Sequence, residues 1–332
     1  MQFELPQETA DLTRELRHWV DERTQRARPG SKPFEPSRWL DFQRWGLLSQ
    51  QLSEPDSALT VAAAFIEVGR GTLPGPVLEA YLAVASGNAD AIDRLTSGRV
   101  VSSIGPRRAG TRMVGWGAVA EMIVDQLSGV VLAAGPLSQV ELAYQLPHGW
   151  YEAHRDARGP DQLRLRRWIG AAALLTGLAA GAIELTCAHV ATREQFGRPL
   201  AAFQAVQLPL AEAFAYAEGM RLCTLDAAWR VSVGDPHAGD AAALAWLWTS
   251  RAAGQIADVC HQAFGAAGFC DETGLTHYTW QMTWLRLSIG PETAREQVLS
   301  RRNPGAERHP PSLVLSGFDS GPELARVTLG AP

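Results

Sequence analysis

The run from Trp168 to Ile183 constrains this chain most. It holds no charged residue and one polar residue, Thr176, while Gly170, Ala171, Ala172, Ala173, Gly177, Ala179, Ala180, Gly181 and Ala182 keep it free of bulk. Small residues at these spacings let a second helix approach closely, so the run reads as a buried helix inside a bundle. It is short of the ~20 apolar residues that a membrane span needs. Its flanks are also charged, with Arg164, Arg166 and Arg167 before it and Glu184, His189 and Arg193 after it. The helix is expected to open near Pro160–Asp161 and to be ended by Gly197 and Pro199, neither of which continues a helix well. A second helix is expected from Phe203–Gln204, with Phe203, Val206, Leu210, Phe214, Ala217 and Met220 as its apolar stripe.

Around this pair the chain reads as mainly α. Helices are expected over 7–25, 37–46, 56–70, 76–86 and 88–97, the first with Leu12, Leu16, Trp19 and Val20 on one face. From Arg99 the period changes. Val100–Ile104, Met122–Asp125, Gly129–Ala133 and Val140–Tyr144 read as short strands. Gly115-Trp116-Gly117 lacks the third glycine and the context of a dinucleotide fingerprint and reads as a turn. A further helix runs from Asp240 to Phe264. The expected division is a helical domain over 1–98, a small β domain over 99–159, a helical bundle over 160–303 and a Pro/Gly-rich tail over 304–332.

A net charge of −5 over 332 residues gives no reason to expect nucleic acid as a partner. Cys187, Cys223, Cys260 and Cys270 lack the paired spacings of a zinc site, so no metal is expected. The N-terminus has neither a basic start nor an apolar signal core, which points to a cytoplasmic protein with reduced thiols.

The segment Arg193-Glu194-Gln195-Phe196-Gly197-Arg198-Pro199-Leu200, followed by Phe203-Gln204-Ala205-Val206-Gln207 and Leu210-Ala211-Glu212, resembles the hallmark of acyl-CoA dehydrogenases. Those flavoproteins have an N-terminal helical domain, a middle β domain and a C-terminal four-helix bundle. Trp45–Leu48 and Val68–Pro76 resemble early segments of the family, and Gln262–Phe269 is similar to its Gln-x-x-Gly-Gly-x-Gly-Phe turn, with Ala266 at the second Gly. The resemblance implies FAD as cofactor and an acyl-CoA or acyl-carrier thioester as substrate. It assigns cofactor contact to Arg193, Gln195, Phe196, Gln204, Gln262 and Gly265, with the Arg193 guanidinium suited to the pyrophosphate. Taken without the resemblance, Arg193 is a cation at a helix C-terminus, Gln204 a polar residue in an early helical turn, and the Gly segment a turn.

The β domain is about 60 residues, shorter than in the family, and the family's Thr-Glu-Pro and Trp-Ile-Thr segments are absent. The desaturation that the family performs needs a carboxylate base. One family position for it falls on Ile289 or Pro291, depending on the anchor, and another on Arg167. None of these can take a proton from carbon. Glu292 is the nearest carboxylate. Gly290-Pro291-Glu292 reads equally as a helix start, in which Glu292 complements the dipole. Glu184 reads as an interior polar residue and Glu194 as a salt-bridge partner. Trp246, Trp248, Trp280 and Trp284 could line an acyl channel or form helix-packing core.

The features together resemble the short, base-lacking subunits of heteromeric bacterial acyl-CoA dehydrogenases, some of which act on bulky thioesters such as sterol side chains. The resemblance implies a full-length partner subunit in a heterotetramer, whose flavin site this chain would complete. A self-sufficient homo-oligomer using Glu292 and a non-catalytic structural subunit are the alternatives.

Overall fold

A computed structural model describes residues 4–24, 34–106, 110–140, 146–154, 163–290, 294–295 and 297–298. The fold is mainly helical, acyl-CoA dehydrogenase-like, with a small sheet region and a C-terminal helical bundle. Its first five helices are α1 (Gln7–Thr24), α2 (Pro36–Gln43), α3 (Ala58–Arg70), α4 (Val77–Ala85) and α5 (Ala89–Thr96). The strands β1 (Val101–Ile104), β2 (Gly110–Val114), β3 (Met122–Asp125), β4 (Val131–Ala134) and β5 (Gly149–Ala153) follow. Then come α6 (Arg164–Thr192), a hairpin of β6 (Glu194–Gln195) and β7 (Arg198–Pro199), α7 (Gln204–Ser232), α8 (Ala238–Phe264) and α9 (Leu275–Ile289).

Helix α6 is the axis of the molecule. It packs against α3, α7, α8 and α9, and Trp168–Ala179 is buried without a break. By length and composition α6 could cross a membrane, yet 72% of its most apolar window is buried inside the fold. Its glycines serve the close approach of α3. A Cβ added at Gly177 would run into the Ile66 carbonyl and lie 2.8 Å from the Arg70 amide nitrogen. Across the same crossing, a Cβ at Gly69 would lie 2.5 Å from the Leu174 carbonyl oxygen. The sequence pointed to a close partner, and the structure identifies it as α3.

Charged and polar side chains lock this crossing at its edge. Arg70 pairs with Asp21 at 2.5 Å and with Glu184 at 2.8 Å, while Arg17 grips Glu67 through two hydrogen bonds of 2.7 and 3.0 Å. Glu184 is therefore not an interior residue: it is 57% exposed and ties α6 to α3. The turn after α3 is clamped from two sides. Thr72 adopts a left-handed φ of 64°, held by the Arg38 guanidinium donating to the Gly71 and Thr72 carbonyls. Gln281 on α9 accepts from the Leu73 amide at 2.7 Å, and Tyr278 donates to the Arg70 carbonyl at 2.9 Å.

The sheet region is small. β1 and β3 run parallel, β4 pairs antiparallel with β3, and β2 pairs antiparallel with β5. β3 is buried along its whole length, and α4 packs on β1. The β2–β5 pair escaped the sequence reading because neither strand is an apolar run: Gly110–Val114 carries Thr111 and Arg112, and Gly149–Ala153 carries Glu152. Gln139 makes an isolated bridge to Gly149; Val140 is not in a strand, and the rest of the strand expected over 140–144 lies outside the described residues.

The ends of α6 and the buried face of α7 compare with expectation as follows. α6 opens at Arg164, the residues around the expected start at 160–161 lying outside the described set. It ends at Thr192, before Gly197 and Pro199, because the chain reverses in the β6–β7 hairpin rather than at a glycine cap. The buried stripe of α7 is Leu210, Ala213, Ala217, Met220 and Thr224, with Phe214 on the outside at 67% exposure. Substituting Gly177→Ala removes the clearance at the α3–α6 crossing. It is expected to destabilise the chain by about 2–3 kcal/mol despite better helix propensity, as read by urea unfolding.

Candidate functional site

The bundle helices alternate in direction, so their ends collect into two groups that carry different chemistry. One group gathers the end of α6, the start of α7, the end of α8 and the start of α9. The β6–β7 hairpin projects here, with Gln195 paired to Arg198 around Phe196 and Gly197. Both loop residues have positive φ, 53° and 76°, as a two-residue hairpin turn requires. Glycine tolerates this geometry; a bulky phenylalanine does so at a cost of about 1–2 kcal/mol. Phe196 is also 92% exposed, so no burial within the chain offsets that strain. The Arg198 guanidinium lies 4.1 Å over the Phe203 ring, and Phe203 meets Phe196 edge-on.

Arg193 follows the last residue of α6, its carbonyl accepting from the Leu200 amide at 2.8 Å. Its side chain is exposed and makes no ion pair among the described residues. The neighbouring Glu194, expected as a salt-bridge partner, is likewise exposed and without an ion pair among them. Gln204 opens α7 and is exposed. His189 stacks on Phe264 with ring centroids 4.1 Å apart, joining the end of α6 to the end of α8. There Gln262 is exposed, and Gly265 takes φ 62° and ψ −144°. A Cβ at Gly265 would meet nothing within 4 Å, so the backbone angle rather than space calls for glycine. The six residues named from the family resemblance thus share one end of the bundle, on exposed backbone or side chains.

The opposite group gathers the start of α6 and the end of α9, where the base positions fall. Arg167 is buried, and its Nε donates to Gln126 Oε1 at 2.9 Å. Gln126 donates to Ser103 Oγ at 2.9 Å, and Ser103 donates to the Glu79 carbonyl at 2.5 Å. Ile289 ends α9, and Gly290 accepts from Trp246 Nε1 at 2.8 Å. Pro291 and Glu292 lie outside the described residues.

Sequence reasoning missed the buried pair at the heart of this end. The Glu79 carboxyl accepts from Trp284 Nε1 at 3.1 Å, and burial pushes its pKa up, favouring the neutral acid. His148 stacks on Trp284 at 3.9 Å and accepts from the Trp116 amide through Nδ1. Burial lowers its pKa to about 4, so the ring is neutral with the proton on Nε2. Trp116, His148, Glu79 and Trp284 are all buried and fill the junction between α4, the strands and α9. Glu79 could have been flagged as the lone charge in Val77-Leu78-Glu79-Ala80-Tyr81-Leu82; His148 carries no local signal. Trp246 and Trp284 are core residues, whereas Trp248 is partly exposed. Among the described residues, no group of His, Cys, Asp and Glu could hold a metal.

Comparison with known proteins agrees with this architecture. The sequence model described as "Acyl-CoA dehydrogenase, C-terminal domain" matches residues 161–302. Acyl-CoA dehydrogenase FadE28 of Mycobacterium tuberculosis is 29% identical over 261 residues, covering 77% of this chain and 70% of FadE28. The ChsE4-ChsE5 complex from Mycobacterium tuberculosis contains a chain with TM-score 0.70 and 22% identity, covering 93% of this chain and 100% of that one. PigA, solved with FAD and proline, has TM-score 0.68 and 15% identity, covering 91% and 99%. Residues 161–302 are thus similar to the C-terminal domain of acyl-CoA dehydrogenases, and the chain as a whole shares the fold of these structures.

Two buried groups set opposing pH responses. The depressed pKa of His148 makes its contribution full above pH 6.5 and progressively lost as pH falls through about 4. The raised pKa of Glu79 makes its contribution full below about pH 4.5 and lost as pH rises through the folded value. Glu79→Gln keeps an acceptor for Trp284 and removes the titration. Urea unfolding of this variant between pH 5 and 8 is expected to show a smaller loss of stability with rising pH than the parent.

Proposed function

We propose that this chain is a subunit of an FAD-dependent acyl-CoA dehydrogenase that completes the flavin site of a partner subunit and supplies no base of its own. The observation that carries the reading is the strained, fully presented Phe196 beside an exposed Arg193 that pairs with no carboxylate among the described residues. A chain spends strain on exposing a phenylalanine when something outside it receives the ring.

The residues fit a flavin dinucleotide. The Arg193 guanidinium has its donors available for a pyrophosphate, which its planar fork matches. Gln195, Gln204 and Gln262 offer amide groups, Phe196 an aromatic face, and Gly265 a backbone clear of side-chain atoms. When bound, the cofactor supplies the acceptor for the β hydride of an acyl thioester. This chain's part is to hold phosphate charge, orient the nucleotide and exclude water.

The opposite end supports the absence of a base. Arg167 holds one family position as a buried cation in a hydrogen-bonded chain, and Ile289 holds another. The same end is closed by Trp284, His148, Trp116 and Glu79, all buried. The partner is therefore a full-length family member carrying the carboxylate, in an assembly of the kind that the name ChsE4-ChsE5 describes.

Co-expression with a full-length acyl-CoA dehydrogenase tests the reading. The complex is expected to be yellow and to desaturate an acyl-CoA, while this chain purified alone is expected to carry no flavin. Arg193→Ala in the complex is expected to lower FAD affinity at least tenfold, a loss of about 1.4 kcal/mol, with the assembly intact by gel filtration. A yellow chain that bleaches with acyl-CoA on its own overturns the proposal.

A further inference from the structure

The turn after α8 is built on an imidazole that the family resemblance does not assign. His261, one residue before Gln262, lies parallel to the Phe269 ring, with centroids 4.5 Å apart and planes 21° from each other. Its Nε2 lies 3.2 Å from Thr279 Oγ1 on α9. We assign the ring proton to Nε2, with the Thr279 hydroxyl accepting from it and donating to the Thr276 carbonyl 3.4 Å away. Nδ1 is then a bare lone pair. It is buried and has no hydrogen-bond partner among the described residues. The turn closes on this atom: a Cβ added at Gly268 would come within 3.1 Å of Nδ1 and 2.9 Å of Phe264 Cβ.

We propose that neutral His261 is a positioning residue: anchored to α9 through Nε2, it props Phe269 and the Gly265–Phe269 turn in the form offered to the nucleotide, and protonation at Nδ1 releases that turn. The proposal rests on the flavin-completing role given above. A proton on Nδ1 would create a buried, charged donor with no acceptor among the described residues, which costs more than an ordinary lost hydrogen bond. The ring can escape that only by swinging out, which breaks the Thr279 bond and the Phe269 stack together. Phe269, 71% exposed, has little else to hold it.

The charges around the ring do not rescue the cation. Asp258, one turn earlier on α8, favours protonation, but burial outweighs it and the pKa of His261 is lowered from 6.5. The neighbouring elements carry Asp271 and Glu272 in the 3-10 turn Asp271–Thr273, His277 on α9, and His189 with Arg193 at the end of α6. Asp271 accepts from Thr276 at 3.4 Å rather than from His261. The turn is therefore set above pH 6.5 and released as pH falls below it.

Amide hydrogen exchange of residues 265–270, expressed as protection factors at pH 7.5 and 5.0, tests this in the full chain without cofactor. Protection is expected to fall about tenfold at pH 5.0. His261→Gln keeps a donor for Thr279 and does not titrate; its protection is expected to be the same at both pH values. His261→Phe keeps the stack and serves as a second non-titrating variant if the first folds poorly. In the assembled complex, FAD affinity is expected to drop about tenfold over the same range for the parent and to stay level for the variants. A parent whose turn is equally protected at both pH values overturns the proposal, as do variants that keep the parent's pH profile. A complex without FAD at pH 7.5 would instead overturn the flavin-completing role, leaving the exchange result to decide for His261.

Discussion

The crossing of α3 over α6 is the contact on which the other helices depend. Gly69 and Gly177 bring the two backbones so close that neither position has room for a methyl group. Side chains from α1, α3 and α6 then converge on Arg70, whose guanidinium meets Asp21, Glu67 and Glu184. With α3 fixed on α6, the turn that leaves it is placed where Arg38, Tyr278 and Gln281 can hold its strained backbone. The N-terminal helices and the bundle are thus joined through polar groups that are hard to satisfy in any other arrangement.

That joint leaves the two ends of the bundle with opposite characters. Near the start of α6 and the end of α9, the junction with the strands is closed by aromatic rings, a buried carboxyl whose pKa is raised and a neutral imidazole. Near the end of α6 and the end of α8, the chain presents a phenylalanine in a costly conformation, an exposed arginine and a glycine turn. A buried polar network at one end and exposed, strained groups at the other are the contrast on which the proposed shared site rests.

Much of the fold was legible from local signals. The change from helical to strand period near Arg99, the small-residue run of α6 and the pairing of α7 with it all follow from residue type and spacing. The β2–β5 pair was not, because its strands are short and polar on one face and gain their stability from each other. Phe214 was misjudged for a related reason. A stripe drawn at steps of three and four fits either of two adjacent faces when alanines such as Ala213 and Ala217 do the packing. The six residues proposed to face the cofactor were named through the motif alone; nothing in their spacing says that they converge on one end of the bundle.

The sequence by itself determined the helical character of the chain, the burial of α6 and the lack of a carboxylate at Arg167 and Ile289, since these depend on which side chains are present. Tertiary structure decided the rest. It chose α3 as the close partner of α6, brought Glu79 on α4 against Trp284 on α9, and turned His261 towards Thr279 and Phe269. Those outcomes depend on groups far apart in the chain meeting where water is excluded, and there the surroundings, rather than the residue type, set protonation and conformation.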